Sequence, residues 1–510
     1  MGSIRFKKEY FKGLLHNNQF VVLACVFGVS FVLQLFMFPK TGDDFFWGSD
    51  LGIDQLHKLF ISHNARLFSN TLNILLLRCL PLKALFNAAV ITIIVYFLVK
   101  LCFSKANIYI YILAVTLVVL LGSETFIEVI AWQSGFVNYA LSAAFDLGFI
   151  YFAFDFLKKP EKYANLKTAG LIVAITLPAQ FIVETSTFFV VILALGTNLL
   201  YFKRTKRFSV PLIVWFAVAF ISAVVSVCLL KFYVQVDFRP TDSLETILVN
   251  TPIKQQVLFI FYVFQYLVLD NLFIFLSLSA LIVIFVFRDN AKFYKKLILI
   301  ATPVVFSSLL VVNAIRHPAY KRDDLMGTLF DKLIVGGLMI SFLAAIAVFM
   351  YCLCKIKSKS IKNKLLAFGA MYVIHIIPII VVQYASYRVF FLNYLLLSLI
   401  IIHFASYMYK EGMIKIPLSR IKLCLIPVFL ITAVYLFVYC YSSREFYTRQ
   451  KYILNEAAKG STNIQVHELA FGKYLHSLIS DTYYEITYKH YLKINENTTL
   501  EVLPAKPIFK

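Results

Sequence analysis

Charged residues are scarce in this sequence. Only 15% of the 510 residues are Asp, Glu, Lys or Arg, whereas 60% are hydrophobic. A soluble domain of ordinary composition is about a quarter charged and about half apolar. The apolar residues here fall into blocks of roughly 18 to 22, the length that a helix needs to cross ~30 Å of hydrocarbon. The composition therefore excludes an ordinary soluble domain and predicts an all-α polytopic membrane protein.

Common nucleotide-binding and hydrolase motifs are also missing. There is no Walker loop, no Gly-rich dinucleotide fingerprint, no His-Glu-x-x-His and no Gly-x-Ser-x-Gly. The eight cysteines form no zinc-type cluster. These absences disfavour an ATP-driven pump and the common soluble hydrolases. Because no cytoplasmic nucleotide-sugar domain is present, an activated sugar would have to arrive attached to a lipid.

Acidic residues are fewer than basic ones, 27 against 49, and the formal net charge is +22. The basic residues lie mainly in short segments between apolar blocks, which is typical of topology determinants rather than of a nucleic-acid-binding patch. We therefore predict no nucleic-acid partner. The positive-inside rule predicts a multi-pass protein of the cell membrane (inner or plasma), with a cytoplasmic N-terminus and an extracytoplasmic C-terminus.

The apolar blocks predict about 13 transmembrane helices, which start near residues 20, 84, 107, 137, 168, 185, 209, 269, 295, 333, 365, 389 and 421. They form a predicted bundle over residues 1–441, and residues 442–510 form a small extracytoplasmic α/β appendage with strand-like pieces at 463–466 and 499–502. The predicted outer loops are 39–83, 123–137, 231–268 and 315–332. An amphipathic stretch in the first loop, 51–80, predicts interfacial helices.

Two adjacent carboxylates, Asp43 and Asp44, stand just after the first apolar block and precede the aromatic residue Trp47. A carboxylate at this interface can act as a general base toward a sugar hydroxyl, and Trp47 offers a stacking face. The alternative is structural: the pair caps a surface helix, and Trp47 is an interfacial anchor.

Polar residues in the next outer segments also suit carbohydrate. Trp132, Asn138 and Tyr139 offer planar rings and an amide, although an aromatic belt explains the two rings equally well. Glu184 lies at a predicted outer turn between two spans, with almost no polar loop. An ionisable residue in this place is a candidate for a functional role. The alternative is that the turn simply reaches water.

Three arginines on the predicted outer face are candidates for the phosphate of a lipid carrier. Arg66 could clamp a phosphate or snorkel from an interfacial helix. Arg388 precedes an unbroken apolar span, and Arg322 belongs to a densely charged loop.

These features together resemble a known class of enzymes. An acidic motif after the first span, an outward active face, ten or more spans and an outward C-terminal segment are similar to the GT-C glycosyltransferases. More narrowly, the chain resembles poorly characterised bacterial multi-span proteins of surface-polysaccharide loci, including serotype-converting glucosyltransferases. The matching pieces are Gly42-Asp43-Asp44-Phe45, Asn64-Ala65-Arg66, Trp132-Gln133-Ser134-Gly135-Phe136-Val137-Asn138-Tyr139, Glu184 and Tyr387-Arg388. Ala65 departs from the family pattern, in which Gly often precedes the arginine.

The resemblance implies transfer of a sugar from a polyprenyl-phosphate donor to a glycan acceptor by a single inverting displacement. Asp43 or Asp44 would be the base, and the other would orient it or help to bind a divalent cation, although the need for a metal stays open. Arg388, with Arg66 or Arg322, would stabilise the leaving phosphate. Glu184 and Asn138 would position sugar hydroxyls. The alternatives are a transporter or flippase of lipid-linked saccharides, and a polysaccharide polymerase.

Overall fold

The computed structural model describes residues 18–60, 64, 66–103, 108–232, 253–289, 291–316, 329–382, 386–414, 418–472, 475 and 482–505. The helices of the first half are α1 Asn18–Phe36, α2 Asp44–Gly48, α3 Asp50–His57, α4 Leu67–Arg78, α5 Leu80–Cys102, α6 Ile108–Val119, α7 Ser123–Phe126, α8 Gln133–Gly135, α9 Leu141–Lys158, α10 Pro160–Tyr163, α11 Leu166–Gln180, α12 Glu184–Thr205 and α13 Val210–Phe232. Two π-helical turns, Ile127–Ala131 and Phe136–Ala140, flank α8.

The second half continues with α14 Ile253–Val268, α15 Leu272–Arg288, α16 Phe293–Arg316, α17 Leu329–Lys355, α18 Lys359–Val382, α19 Phe391–Lys410, α20 Leu418–Ala458, β1 Asn463–His467, α21 Thr482–Leu492 and β2 Thr499–Leu503. Short 3₁₀ turns, Leu269–Asn271 and Tyr387–Phe390, precede α15 and α19.

Nine helices within the described residues are long and apolar enough to cross a membrane. They are α1, α5, the run Gln133–Lys158, α12, α13, α16, α17, α18 and the run Tyr387–Lys410. A tenth span results if the short helical runs Ile110–Val119 and Ser123–Ala131 count as one. The chain is thus an all-α multi-pass membrane protein.

The predicted number of about 13 spans is not confirmed. The starts predicted near 168 and 269 correspond to α11 and α15, which have 15 and 17 residues. Both are shorter than the ~20 residues that usually cross the hydrocarbon layer. The start predicted near 421 falls in α20, on side chains outside the described set. The orientation of the chain stays a prediction.

The chain folds into two compact units. Unit 1 contains Met1–Lys100, Phe126–Ser243 and Ala433–Lys510, and unit 2 contains Leu101–Thr125 and Leu244–Thr432. The predicted division into 1–441 and 442–510 stays a prediction.

Aromatic packing joins the C-terminal segment to the first loop within unit 1. The ring of Phe45 on α2 lies 4.6 Å from that of Tyr488 and 5.6 Å from that of Tyr491, both on α21. Aromatic pairs at such separations add about 0.5–1.5 kcal/mol beyond the area that they bury. The segment that follows α20 therefore helps to hold the two carboxylates of the first loop in place.

Two strands occur where the sequence indicates strand-like pieces. β1 and β2 pair in parallel, with Asn463 opposite Thr499 and His467 opposite Leu503. The extracytoplasmic position of this segment stays a prediction.

Candidate functional site

A tight turn presents the two carboxylates of the first loop. The φ of Gly42 is +54°, a left-handed conformation that glycine adopts without steric cost. The backbone N–H of Asp44 donates to the carbonyl of Thr41 at 3.1 Å, and that of Phe45 donates to the carbonyl of Gly42 at 3.2 Å. This turn leads into α2, and it leaves Asp43 partly exposed while Asp44 is buried.

Asp44 is fully buried and densely hydrogen-bonded. Its side chain is 0% exposed. It accepts hydrogen bonds from the hydroxyl of Ser134 at 2.7 Å, and from the backbone N–H groups of Ser134 at 2.9 Å, Gln133 at 3.4 Å and Thr41 at 3.3 Å. Burial raises the pKa of Asp44, against the opposing effects of the Lys83 charge and of these hydrogen bonds. Asp44 thereby fastens α2 to the first turn of α8.

Two lysines lie close enough to act electrostatically on this carboxylate. Lys83 is 1% exposed, and its Nζ donates to the carbonyl of Phe38 at 3.4 Å. Lys40 donates from Nζ to the hydroxyl of Tyr491 at 2.7 Å. Burial lowers the pKa of Lys40, while the Asp44 charge opposes that shift. The Asp44 carboxylate and the two lysines form a charged cluster. The sequence did not indicate that Lys83 would belong to it.

Asp43 differs from its neighbour because it is partly exposed. It occupies the N-cap position of α2, yet its side chain makes no capping hydrogen bond to that helix. The capping role that the sequence allowed for the pair is therefore not filled at α2. Of the two carboxylates, Asp43 is the one that solvent and a ligand can reach.

A buried amide chain continues from the Asp44 contact. Asn87 donates from Nδ2 to Gln133 Oε1 at 2.7 Å and to Gln34 Oε1 at 2.8 Å. Gln34 in turn donates to the carbonyl of Ile130 at 3.2 Å. These bonds connect α1, α5 and α8, so the residues that hold Asp44 are themselves held by two membrane-spanning helices.

The three aromatic residues predicted to stack on sugar are buried. Trp132 and Tyr139 are each 4% exposed, and Trp47 is 3% exposed. Trp47 packs in a hydrophobic cluster with Phe60, Ile74 and Leu77. Their roles toward a sugar stay predictions, and their positions contribute packing to unit 1.

Gly135 at the end of α8 lies very close to the π-helical turn Ile127–Ala131. A Cβ added there would lie 1.8 Å from the carbonyl oxygen of Glu128 and 2.6 Å from a ring carbon of Trp132. The backbone carbonyl of Glu128 cannot move away from an added Cβ as easily as the end of a flexible side chain could. We expect Gly135→Ala to lower the free energy of unfolding by about 1–3 kcal/mol or more, measured as a lower apparent Tm in detergent.

Gly170 provides the matched control for that substitution. It lies in α11 with no heavy atom within 4 Å of an added Cβ. Gly170→Ala should leave the apparent Tm unchanged or raise it slightly, because alanine favours helix by ~1 kcal/mol. Equal Tm values for the two variants would contradict the importance of the Gly135 contact.

Arg66 and Glu184, predicted separately, form one ion pair. Arg66 Nε lies 3.1 Å from both carboxylate oxygens of Glu184, and Nη2 lies 2.8 Å from Oε2. The side chains are 16% and 19% exposed. Backbone contacts support the pair, because Phe68 N–H donates to the carbonyl of Phe181 at 3.2 Å. The geometry ties the start of α4 to the turn before α12.

Truncation of this ion pair should be costly. Glu184→Gln removes a charge from a mostly buried, two-point contact, and we expect a loss of about 2 kcal/mol, typical of a hydrogen bond to a charged group. A double-mutant cycle with Arg66→Met should give a coupling energy of at least ~0.5 kcal/mol. Glu456→Gln, at the exposed Lys459–Glu456 pair, is the control and should change the apparent Tm little. If the stability losses of the two single variants simply add in the double variant, the ion pair does not contribute to stability.

Two polar residues, Asn70 and Asn73, are three positions apart and lie along one side of α4. Arg66 directly precedes this helix as its N-cap residue. Asn70 Nδ2 donates to Asn64 Oδ1 at 2.8 Å. Asn73 is 0% exposed, and its amide makes no hydrogen bond to any residue that the structure describes.

Two further buried amide groups lie on segments that contact α4. Asn138 belongs to the turn Phe136–Ala140, which packs on α4, and its Oδ1 has no hydrogen-bond partner among the described residues. The same is true of both amide atoms of Gln180 at the end of α11. An unpartnered buried polar group costs about 1–3 kcal/mol, so such groups usually meet water or a ligand. Sequence reasoning found Asn138 and missed Asn73 and Gln180.

A second buried carboxylate lies within a membrane-spanning run. Asp146 on α9 is 1% exposed and accepts a hydrogen bond from Ser186 on α12 at 2.6 Å. It joins two helices of unit 1.

Two further arginines, Arg388 and Arg322, were predicted from the sequence. Arg388 lies in unit 2, in the 3₁₀ turn before α19. The neighbouring Tyr387 ring packs edge-on against Tyr266 at 4.6 Å. Arg322 lies outside the described residues. Within those residues no three His, Cys, Asp or Glu side chains form a group able to hold a metal ion.

Comparison with protein-family models, curated proteins and solved structures finds no match to this chain. The fold and the buried polar cluster define an all-α multi-pass membrane protein with a carboxylate site in unit 1.

Proposed function

We propose that this protein is a membrane glycosyltransferase that moves a sugar from a polyprenyl-phosphate donor to a surface glycan or a related acceptor at the extracytoplasmic face of the cell membrane. The observation that carries the proposal is the asymmetric carboxylate pair. Asp44 is buried and fixed by four donor contacts, whereas adjacent Asp43 is partly exposed. An accessible carboxylate on a rigid support is what a general base requires.

The uncharged amides of unit 1 support a saccharide ligand. Asn73, Asn138 and Gln180 contribute buried donors and acceptors without partners among the described residues. Vicinal sugar hydroxyls pair well with such planar amides, because each amide offers both a donor and an acceptor. In this proposal Asn138, with Glu184 and its partner Arg66, positions the sugar hydroxyls.

An apolar cavity in unit 2 supports a lipid-linked donor. It has a volume of about 600 Å³ and is lined by side chains of α14 to α19, including Phe264, Phe275, Phe342 and Ile376. This volume lies within the range of about 300–1,000 Å³ typical of ligand pockets. Each buried methylene of a lipid contributes ~0.8 kcal/mol, so a prenyl chain is well matched to such a lining.

The proposed reaction is a single displacement. Asp43 accepts the proton of the acceptor hydroxyl while that oxygen attacks the anomeric carbon of the donor sugar. The bond between this carbon and the phosphate oxygen breaks, and polyprenyl phosphate leaves with the bonding electrons. The attack comes from the face opposite the phosphate, so the anomeric configuration inverts.

Asp146 favours a second candidate, a flippase of lipid-linked saccharides. A carboxylate buried in a membrane-spanning helix is expensive and often marks a transport path. This alternative predicts movement of the donor without formation of a new glycosidic bond.

Reconstitution in vesicles distinguishes the two. The full chain is incorporated with a radiolabelled polyprenyl-phosphate sugar and a glycan acceptor. A transferase yields labelled glycan of inverted anomeric configuration together with free polyprenyl phosphate. Labelled donor that only becomes accessible at the opposite leaflet would overturn the transferase proposal in favour of the flippase.

A further inference from the structure

Unit 2 contains a smaller and more polar cavity, of about 150 Å³, at the ends of α5, α18 and α19. Its lining includes Ser360, Lys364, His403, Ser406, Tyr407 and Lys410. A water occupies about 30 Å³ in the liquid, so the cavity has room for roughly five waters or one small anion. Membrane-spanning helices begin or end at this place, which puts the cavity at a boundary of the hydrocarbon layer.

Two lysines from different helices bring positive charge to the cavity. Lys364 on α18 donates from Nζ to the carbonyl of Leu101 at 3.1 Å, which fixes the amine at the cavity. Lys410 is the last residue of α19, and its Nζ lies 5.8 Å from the ring centre of Phe103. Glu411, the next residue after Lys410, carries a negative charge. The two positive charges of Lys364 and Lys410 outnumber it.

The first turn of α18 adds backbone donors. This helix begins at Lys359, and Ser360 and Ile361 of its first turn line the cavity. The N–H of Lys362 donates to the carbonyl of Ser358, the residue before the helix, at 3.0 Å. The preceding N–H groups have no acceptor within the helix, and such groups favour anions.

His403 provides an independent sign that the cavity takes a ligand. Its side chain is 6% exposed, and neither ring nitrogen has a hydrogen-bond partner among the described residues. The ring is held between Phe103 at 6.2 Å and Phe368 at 6.3 Å, so it is positioned by packing rather than by a polar contact. An imidazole N–H in this place can donate to an oxyanion.

We propose that this cavity binds a phosphate group, held by Lys364, Lys410, the first turn of α18 and the side chains of His403 and Ser406. Inorganic phosphate and the headgroup of an anionic phospholipid present the same chemistry, and both can reach the ends of membrane-spanning helices. This site uses none of the residues assigned to sugar transfer, so it holds or fails independently of that proposal.

Binding is measured on the purified full chain in neutral detergent. Inorganic phosphate is titrated by calorimetry, and lipid is tested in nanodiscs of phosphatidylcholine with and without phosphatidic acid. We expect saturable binding of at least one phosphate source, together with a higher apparent Tm as that source is added. Saturation by inorganic phosphate assigns a free anion, and saturation by phosphatidic acid alone assigns a lipid headgroup.

Three variants test the site. Lys410→Gln changes an exposed residue and should fold normally, while weakening binding by roughly tenfold or more, the size of one charge-assisted hydrogen bond. His403→Phe should weaken binding with a preserved elution profile. Lys355→Gln removes a charge from the last turn of α17 without touching the cavity and should bind as wild type does. The proposal is overturned if neither phosphate source saturates the wild type, or if Lys410→Gln and Lys355→Gln bind equally well.

Discussion

Asp43→Asn should lower the rate of sugar transfer by about 10²–10⁴-fold, the range that a positioned general base contributes. The amide of the variant cannot accept the proton of the acceptor hydroxyl. The substitution is nearly isosteric at a partly exposed position, so the amount of folded protein and its apparent Tm should be unchanged. The measurement is the initial rate of labelled-glycan formation in reconstituted vesicles.

Asp54→Asn is the control for this prediction. Asp54 lies on α3, which follows α2 in the same loop, and it is exposed, so the variant loses the same charge from the same segment. It should retain the wild-type rate. If Asp43→Asn also keeps the wild-type rate, Asp43 is not the base, and the catalytic assignment in unit 1 fails.

Asp44→Ala should act on folding rather than on the chemical step. It leaves the hydroxyl of Ser134 and three backbone N–H groups without their acceptor, and it removes the negative charge near Lys83. Removal of one partner from a buried charged pair costs about 3–5 kcal/mol. We expect little folded protein, measured as the monodisperse fraction after detergent extraction.

Asp44→Asn separates the loss of hydrogen bonds from the loss of charge. Its amide oxygen can still accept from Ser134, so more folded protein should be recovered than for Asp44→Ala. If both variants fold as well as wild type, the buried cluster does not hold α2 against α8.

The charge of Asp44 also gives folding a pH dependence with a defined sign. Burial raises the pKa of this carboxyl above its ordinary value of 3.8. The extra stability that the folded protein gains from the protonated form of this carboxyl is therefore fully present below pH 3.8. It is lost as the pH rises through the higher pKa of the folded state. Asp44→Asn should lack this component, so the apparent Tm of wild type should fall relative to that of Asp44→Asn across this interval.

Hydropathy predicts the long helices well because a membrane span requires an uninterrupted apolar run. α5, with 23 residues, and α16, with 24, are examples. The span predicted at α11 is not confirmed, because its 15 residues are apolar but short. The sequence did not predict the π-helical turns around α8, nor the close contact between Gly135 and the Glu128 carbonyl.

The candidate site was partly visible in the sequence for a physical reason. Acidic residues are scarcer than basic ones, which flank most of the apolar blocks, so Asp43, Asp44 and Glu184 stand out beside those blocks. Their partners do not stand out in this way. In the sequence Lys83 looks like an ordinary basic residue at the end of a span. Asn73 is one polar position in an amphipathic stretch, although its spacing from Asn70 and Arg66 is a usable signal.

By itself, the sequence determined the class of this protein, an all-α chain that crosses the membrane many times, because hydrocarbon admits only apolar side chains over that length. It also determined where the exceptional charges stand. The tertiary structure alone decided that Asp44 is buried and Asp43 is accessible, and that Arg66 is held by Glu184. Adjacent residues differ in this way because burial and pairing depend on what distant segments, here α8 and the turn before α12, bring to each side chain.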